Sequence, residues 1–163
     1  MKEIVLLVMD VDGTLTDGKI YMGNCGEMIK AFNIKDGYAI NEILPHYGIE
    51  PIVITGRESL IVEKRCEELG IKKLYQKCSN KKEKLLEIAI KKGLSIKDGK
   101  IQGVAYIGDD LQDISSMEIS EWVGCPSDAV DEIKKISNYV CKNKGGEGAV
   151  REYIEWLIYQ RTK

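Results

Sequence analysis

Histidine and paired cysteines are scarce in this chain. Its 163 residues include one histidine and five cysteines, and no two cysteines form a C-x-x-C pair. Because zinc sites are built mainly from histidine and clustered cysteine ligands, a zinc centre is not expected. Unpaired thiols are typical of a reducing compartment, so the sequence predicts a cytoplasmic protein. The cysteines are Cys25, Cys66, Cys78, Cys125 and Cys141.

Long apolar runs and a strong charge of one sign are also missing. The apolar run near the start spans residues 4–9, which is too short for a membrane-spanning helix, and no signal-peptide pattern follows it. The formal net charge is -2, which does not favour binding to nucleic acid or to an anionic membrane surface. We therefore expect neither a nucleic acid nor a membrane as the main partner.

The chain does contain short apolar runs that alternate with helical patterns. Runs of strand length cover residues 4–9, 51–55, 104–108, 122–124 and 139–141. Helical patterns cover residues 59–69, 80–93 and 149–161. This alternation predicts an α/β fold, with a central parallel sheet covered by helices on both faces. The length fits a single domain spanning residues 1–163.

Two segments interrupt the alternation. Residues 18–34 read as a β-hairpin inserted after the first strand, because the turn "GNCG" separates "KIYM" from "EMIKAFNI". Residues 94–103 are predicted to be a loop extension without an assigned purpose. A third irregularity is expected at Pro45, which should end or kink the helix that contains it.

Acidic residues are concentrated at the ends of the apolar runs. The stretch "MDVDGTLTDG" (9–18) places three acids directly after the first run, where a carboxylate is costly unless a cation pairs with it. In a parallel α/β sheet the residues beyond the carboxyl ends of the strands meet, and ligands bind there. Oxygen ligands of this kind suit Mg²⁺, which would offset the repulsion and keep Asp10 ionised as a nucleophile. The residues expected to converge are Asp10, Asp12, Thr55, Gly56, Arg57, Asp109, Asp110 and Asp113, with Lys81 at a helix start.

Four motifs occur in an order that resembles a known superfamily. "DVDGTLTDG", "VITGR", "SNK" and "YIGDDLQD" resemble the motifs of the haloacid dehalogenase-like phosphatases. "KAFNIKDGYAI", "ITGRESLIVEKRCEELGIKKLYQ" and "GGEGAVRE" resemble the small capless branch, which includes the 3-deoxy-D-manno-octulosonate 8-phosphate phosphatases and relatives that act on nonulosonate phosphates. The resemblance covers nearly the whole chain except residues 94–103. It implies a Rossmann-like three-layer α/β/α fold with a small inserted hairpin and no cap domain.

The resemblance also implies a Mg²⁺-dependent phosphoric monoester hydrolase that works through an aspartyl-phosphate. Asp10 would be the nucleophile, and Asp12 the general acid and then the general base. Thr55 and Lys81 would hold the phosphoryl group. The metal ligands implied are the carboxylates of Asp10 and Asp109 and the backbone carbonyl of Asp12, with Asp113 in a supporting position. The substrate-binding residues implied are Asn33, Lys35, Asp36, Gly37, Gly56, Arg57, Arg65, Gly145 and Gly146.

The resemblance ranks 3-deoxy-D-manno-octulosonate 8-phosphate, a small sugar-acid phosphate, first among substrates. Arg57 supports this ranking, since some nine-carbon-acid relatives have an acid at that position. In the octulosonate enzymes, however, a basic residue stands where this chain has Asn41, one helical turn beyond Gly37. A nonulosonate 9-phosphate therefore stays open as the substrate.

Non-catalytic readings stay open beside the enzymatic one. An isolated Asp-x-Asp is equally compatible with a turn, and Thr55, Arg57 and Lys81 taken singly fit solvated positions. A phospho-receiver domain also gathers acids, a threonine and a lysine around Mg²⁺, but its adjacent acids follow the first strand, whereas here "GDD" comes late. A regulatory domain, such as those fused to sialate-activating cytidylyltransferases, would need no catalytic acids. Turnover of a phosphate monoester would separate these classes from a phosphatase.

The inserted hairpin also carries an expectation about assembly. It displays more apolar side chains than a two-stranded ribbon can bury on itself. Hairpins of similar phosphatases pair around a symmetry axis, so the resemblance implies a homotetramer in which each subunit walls its neighbour's site. "GGEGAVRE" fits either a glycine-rich turn or an anion site, and the resemblance implies a mobile flap. The hairpin's apolar residues are Ile20, Met22, Met28, Ile29 and Phe32.

Overall fold

A computed structural model describes residues 3–162. Its strands are β1 (Leu6–Met9), β2 (Tyr21–Gly23), β3 (Gly26–Ile29), β4 (Glu50–Ile54), β5 (Lys73–Tyr75), β6 (Ile96–Lys97), β7 (Lys100–Ile107), β8 (Ser120–Cys125) and β9 (Tyr139–Val140). Its helices are α1 (Ile34–Tyr38), α2 (Leu44–His46), α3 (Leu60–Glu68), α4 (Lys81–Lys91), α5 (Ile114–Met117), α6 (Asp131–Ile136) and α7 (Ala149–Thr162). A π-helical turn, Ala39–Ile43, joins α1 to α2, and a 3₁₀ turn, Leu111–Asp113, precedes α5.

The main sheet has the strand order β5-β4-β1-β7-β8-β9, and these six strands are parallel to one another. Strand β1 lies between β4 and β7, so its carboxyl end has a strand end on each side. Strands β2 and β3 form a separate antiparallel hairpin between β1 and α1. The structure thus confirms the predicted parallel sheet and the inserted hairpin.

The core consists of two apolar layers on opposite faces of the sheet. In β1, Leu7 and Met9 pack in one layer, and Leu6 and Val8 pack in the other, as the two-residue period of a strand requires. The first layer also holds the buried side chains of α3 and α7, and the second holds those of α4, α5 and α6. Within residues 3–162, no helix combines the length and the apolar character needed to cross a bilayer.

The prediction of a loop at residues 94–103 was wrong. Strand β6 pairs antiparallel with the start of β7, and Lys97 lies opposite Lys100 across a two-residue turn. Asp98 and Gly99 have φ values of 51° and 76°, which is the left-handed backbone that such a hairpin turn needs. The dipeptide Asp-Gly was the signal for this hairpin, and β7 accordingly begins at Lys100 rather than at residue 104.

The inserted hairpin is shorter than the predicted interval 18–34. Its paired residues are 21–23 and 26–29, and Asn33 already serves as the N-cap of α1. Phe32, expected among the exposed apolar residues, packs instead against the core layer under α3 and α7. The helical segment that begins at Ile34 ends at His46, one residue beyond Pro45, as the proline predicts.

Candidate active site

Three predicted site residues follow adjacent strands of the sheet. Asp10 comes directly after the central strand β1, and its backbone N–H donates to the carbonyl of Ile107 at the end of β7, 3.1 Å away. Thr55 follows β4 and is buried, and Asp109 follows β7 by two residues. The parallel order of these strands therefore brings the predicted acids and the predicted hydroxyl to one edge of the sheet.

Lys81 connects two of the acids. Its Nζ lies 2.8 Å from Oδ1 of Asp10 and 2.7 Å from Oδ1 of Asp113, and all three side chains are at least 98% buried. Lys81 is the first residue of α4, and the side chain of Asn80 accepts from the N–H of Glu83 to cap that helix. Burial by itself lowers the pKa of Lys81, but the two carboxylates outweigh burial and raise it, so the lysine is an ammonium.

Asp113 serves as the anchor for Lys81. Its Oδ1 also accepts from the hydroxyl of Tyr106 at 2.8 Å, and its Oδ2 accepts from the backbone N–H of Asp109 at 3.1 Å. Both oxygens are thus occupied by protein donors. Asp113 therefore fits the supporting position that the family resemblance implies for it.

Asp10 and Asp109 retain the oxygens that a cation would need. Oδ2 of Asp10 is buried without a hydrogen-bond partner, and carboxylate oxygens of Asp10, Asp109 and Asp113 lie within 4.8 Å of one another. Burial, followed by the charges of Asp10 and Asp113, raises the pKa of Asp109 to about 8. Burial and Asp113 raise the pKa of Asp10 as well, although Lys81 opposes that shift. A hard divalent cation such as Mg²⁺ would offset this repulsion and pair with the free oxygen, so the residues fit a magnesium site.

Asp12 lies beside this cluster and contacts two cations. Its Oδ1 is 2.5 Å from Nζ of Lys30, and its Oδ2 is 3.7 Å from Nε of Arg57. Arg57 is half-exposed, whereas Lys30 is buried. Arg57 thus lies where the sequence predicts it, close to the predicted catalytic acids with part of its side chain open to solvent.

Sequence reasoning missed Lys30 and its partner Glu27. Both belong to the hairpin segment, and Oε1 of Glu27 lies 2.8 Å from Nζ of Lys30. Burial lowers the pKa of Lys30, but its bonds to Asp12 and Glu27 outweigh burial and raise it. Two charges three residues apart usually mark a solvated face, so the pattern alone carried no signal for a buried pair.

Two of the predicted substrate residues cap helices in the structure. Oδ1 of Asn33 accepts from the N–H of Lys35 at the start of α1. Oδ1 of Asp36 accepts from the N–H of Arg151 in the first turn of α7, at 2.8 Å, and the whole side chain is buried. Burial raises the pKa of Asp36 to about 6. A substrate role for these side chains stays a prediction, and Lys35 is exposed close to them.

Gly37 and Arg65 lie on a crevice next to the loop after β1. The guanidinium of Arg65 lies 5.5 Å from the ring centre of Phe32 and also pairs with Glu68. A side chain at Gly37 would collide with this guanidinium. The volume of the crevice is about 10 Å³, which is the space of about one water molecule.

Gly145 and Gly146 pack against the loop that follows β1. A Cβ at Gly145 would lie 1.9 Å from the carbonyl oxygen of Gly13, and one at Gly146 would lie 2.6 Å from the backbone nitrogen of Asp17. The N–H of Gly146 also donates to the carbonyl of Thr14 at 3.1 Å. These glycines therefore allow a close backbone approach, and their expected movement as a flap stays a prediction.

The remaining predicted residues divide between the cluster and the surface. Asp110 is exposed, and its Oδ1 accepts from the N–H of Leu111 to cap the 3₁₀ turn, so Asp109 is the member of this pair that faces the cluster. Gly56 is exposed between Thr55 and Arg57. A Cβ at Gly56 would come within 3.4 Å of the side chain of Gln112, which places the loops after β4 and β7 side by side.

Comparison with known proteins gives a consistent result, although no family model matches the chain. The chain is 43% identical over 162 residues to the 3-deoxy-D-manno-octulosonate 8-phosphate phosphatase KdsC of Escherichia coli K12, which covers 99% of this chain and 83% of that protein. A crystal structure of this phosphatase from Yersinia pestis superimposes with a TM-score of 0.89, at 40% identity, over 98% of this chain and 83% of the other. The Moraxella catarrhalis phosphatase, solved in complex with a magnesium ion, a phosphate ion and KDO, gives a TM-score of 0.89 at 35% identity, over 97% of this chain and 87% of the other.

Proposed function

Because this chain belongs to the haloacid dehalogenase-like family of 3-deoxy-D-manno-octulosonate 8-phosphate phosphatases, we propose that it hydrolyses that phosphate monoester with Mg²⁺ as its cofactor. The observation that carries the proposal is the buried cluster at the end of β1. There, one oxygen of Asp10 is bound by Lys81, and the other is buried without a partner.

The first half of the reaction transfers the phosphoryl group to Asp10. Lys81, fixed by Asp113, holds the Asp10 carboxylate in place, and this carboxylate attacks phosphorus. As the new P–O bond forms, the bond between phosphorus and the sugar oxygen breaks, and Asp12 donates a proton to that oxygen. Mg²⁺, which the carboxylates of Asp10 and Asp109 would hold, would neutralise charge on the phosphoryl oxygens, and Lys81 contributes to the same effect.

The second half of the reaction regenerates the enzyme. Asp12, now a carboxylate, takes a proton from a water molecule that attacks the phosphorus of the aspartyl-phosphate. The bond between Asp10 and phosphorus breaks, and inorganic phosphate leaves. Thr55, buried at the end of β4, is proposed to donate to a phosphoryl oxygen in both halves.

The proposed substrate is a sugar acid, and Arg57 is the residue proposed to recognise it. Its guanidinium is close to Asp12 and 45% exposed, so it can reach a carboxylate or hydroxyl of a bound sugar acid. Asn41, which stands where octulosonate enzymes have a basic residue, is exposed and donates to Glu42. A nonulosonate 9-phosphate is therefore the second candidate substrate.

A turnover assay tests the proposed function. Purified protein with Mg²⁺ is assayed on octulosonate 8-phosphate, nine-carbon sugar-acid 9-phosphates and hexose phosphates, and we expect the highest kcat/KM on the first. Asp10→Asn should abolish turnover because an amide cannot act as the nucleophile, and chelation with EDTA should do the same. Asp17→Asn is a matched control, since the Asp17 carboxylate contacts Tyr21 and Lys19 at the base of the hairpin.

Two results would contradict the proposal. One is a folded Asp10→Asn protein with near-normal turnover, which would exclude the aspartyl-phosphate. The other is a magnesium-loaded wild-type protein that hydrolyses none of the esters, which would favour the receiver or regulatory alternatives.

We further propose that the enzyme is a cytoplasmic homotetramer in which neighbouring hairpins meet. Four apolar residues of the hairpin segment are exposed, more than a two-stranded ribbon can bury on itself. A neighbouring hairpin would cover these side chains. The cytoplasmic location is supported by five free thiols, one of which, Cys25, is exposed at the hairpin turn. The exposed hairpin residues are Ile20, Met22, Met28 and Ile29.

A further inference from the structure

Lys30 reaches the proposed acid-base residue from the hairpin rather than from the sheet. It directly follows β3, and its Nζ lies 2.5 Å from Oδ1 of Asp12 and 2.8 Å from Oε1 of Glu27. Building on the proposed phosphatase function, we propose that Lys30 is a positioning residue, which orients the Asp12 carboxylate for proton transfer to the sugar oxygen and from water.

Burial supports this assignment over a solvated surface lysine. Only 2% of the Lys30 side chain is exposed, and a charge taken so far from water is costly unless it is paired and hydrogen-bonded. Both of its carboxylate partners are within hydrogen-bond distance. The fold thus maintains this contact although it removes an ammonium group from solvent.

Glu27 fixes the position of Lys30. Its second oxygen, Oε2, accepts from the hydroxyl of Ser59 at 2.5 Å, and the Ser59 side chain caps α3. The contacts run from α3 through Ser59 and Glu27 to Lys30, and from Lys30 to Asp12. The hairpin is therefore tied to the sheet edge by side chains that end on the acid-base residue.

The same geometry argues against direct contact between Lys30 and the substrate. The Lys30 side chain is nearly inaccessible and its Nζ already has two close carboxylate partners, whereas the Arg57 side chain is 45% exposed and makes only longer contacts, 3.7 Å to Asp12 and 3.9 Å to Glu27. Lys30 occupies Oδ1 of Asp12, and Oδ2 faces Arg57 at 3.7 Å. Oδ2 is thus the oxygen that remains for the proton, and Lys30 acts through Asp12.

A double-mutant cycle tests this role. Lys30→Met should lower kcat on octulosonate 8-phosphate about 10- to 100-fold with KM within about twofold, because general acid-base catalysis contributes roughly that much or more. The loss on nitrophenyl phosphate should be much smaller, since its leaving group needs little protonation. In an Asp12→Asn background, Lys30→Met should lower kcat by less than about a further twofold, because no carboxylate is left to orient. Lys30→Arg should recover part of the activity.

Matched variants separate positioning from folding. Lys19→Met removes an exposed lysine of the same insertion and should leave kcat unchanged. Glu27→Gln removes one partner of Lys30 and keeps the lysine. It should lower kcat on octulosonate 8-phosphate more than on nitrophenyl phosphate, by smaller factors than Lys30→Met. This variant tests the proposal even if Lys30→Met does not fold. Two results with an active wild-type enzyme would overturn the proposal. One is that Lys30→Met lowers kcat by the same factor in the Asp12→Asn background as in the wild type. The other is that it lowers kcat equally on octulosonate 8-phosphate and on nitrophenyl phosphate. A wild-type protein without turnover would instead overturn the proposed function, and the role of Lys30 with it.

Discussion

Asp36 illustrates, at the scale of single residues, how a predicted site side chain can have a structural task. Its carboxyl group is buried under the first turn of α7, where Oδ1 accepts from Arg151 and Oδ2 has no partner. Helix N-termini favour negative charge, but burial opposes ionisation and raises the pKa of Asp36 to about 6. The folded protein therefore binds this proton more tightly than the unfolded chain does.

Stability should depend on pH through Asp36. Because its pKa is about 6 in the folded protein and ordinarily 3.8, as in an unfolded chain, the stability it contributes is full below about pH 4 and is lost as the pH rises through 6. Relative to Asp36→Asn, the unfolding free energy of the wild type should fall by on the order of 2 kcal/mol between pH 4 and pH 7. Urea denaturation of both proteins across this range measures the difference.

The control for this measurement is Asp131→Asn, since the Asp131 side chain is 84% exposed. The difference in unfolding free energy between Asp131→Asn and the wild type should be nearly independent of pH. A flat or rising difference for Asp36→Asn would show that the carboxyl group is ionised without penalty.

Single residues also show what the sequence could and could not predict about the site. Asp10, Asp109 and Lys81 were predictable because each follows a strand or begins a helix, and parallel strands align their ends regardless of detailed packing. The contact between Lys30 and Asp12 depends on how the hairpin folds back over the sheet edge. No local pattern encodes that angle, so the residues read as solvated charges.

At the scale of elements, the segment before α7 packs on the loop that carries the proposed catalytic acids Asp10 and Asp12. Gly145 donates to Asp128 and lies so close to Gly13 that no Cβ fits between them. The sequence predicted a glycine-rich turn or a mobile flap here but not the surface on which it packs. That surface is the loop after β1, which comes from the opposite end of the chain.

Gly145→Ala should therefore impair both stability and turnover. The added Cβ would lie 1.9 Å from the Gly13 carbonyl oxygen, so the loop after β1 must shift. We expect a loss of about 1–3 kcal/mol in unfolding free energy, as for other overpacked sites, and a lower kcat. Thermal unfolding and turnover measure the two effects.

Gly93→Ala serves as the comparison, because no heavy atom lies within 4 Å of a Cβ there and only its left-handed backbone opposes the change. It should lose stability without losing kcat. Normal stability and turnover in Gly145→Ala would mean that the two loops separate easily.

The β6–β7 hairpin had a signal in the sequence for its turn but none for its first strand. Its turn chemistry, Asp98-Gly99, was visible in the sequence, but the short charged strand before it hid the pairing. Only two residues of β6 pair, so the apolar alternation that reveals longer strands was absent. The long apolar runs and the helices α3, α4 and α7 had enough periodicity to be predicted correctly.

At the scale of the whole molecule, the exposed hairpin predicts the assembly. Met22 is 62% exposed on β2, and a charge there should disrupt contact between hairpins while leaving the subunit folded. Sedimentation of the wild type should show a species of four chains, and Met22→Glu should sediment as a smaller one.

Ile96→Glu provides the matched control, because Ile96 is 57% exposed on the other hairpin. It should sediment like the wild type. A wild-type monomer that is fully active and selective would rule out the shared wall between subunits.

The position of β1 in the sheet has a consequence for synthesis on the ribosome. Its residue Leu6 pairs with Glu50 on one side and with Val104 on the other, so the strand before the proposed nucleophile, although it is made first, has both of its neighbours only after β7 is made. A nascent chain that has emerged only through β5 holds β1 as an open apolar edge, the kind of edge that pairs with other chains. Truncated products ending before β7 should therefore be inactive and should require chaperones to stay dispersed.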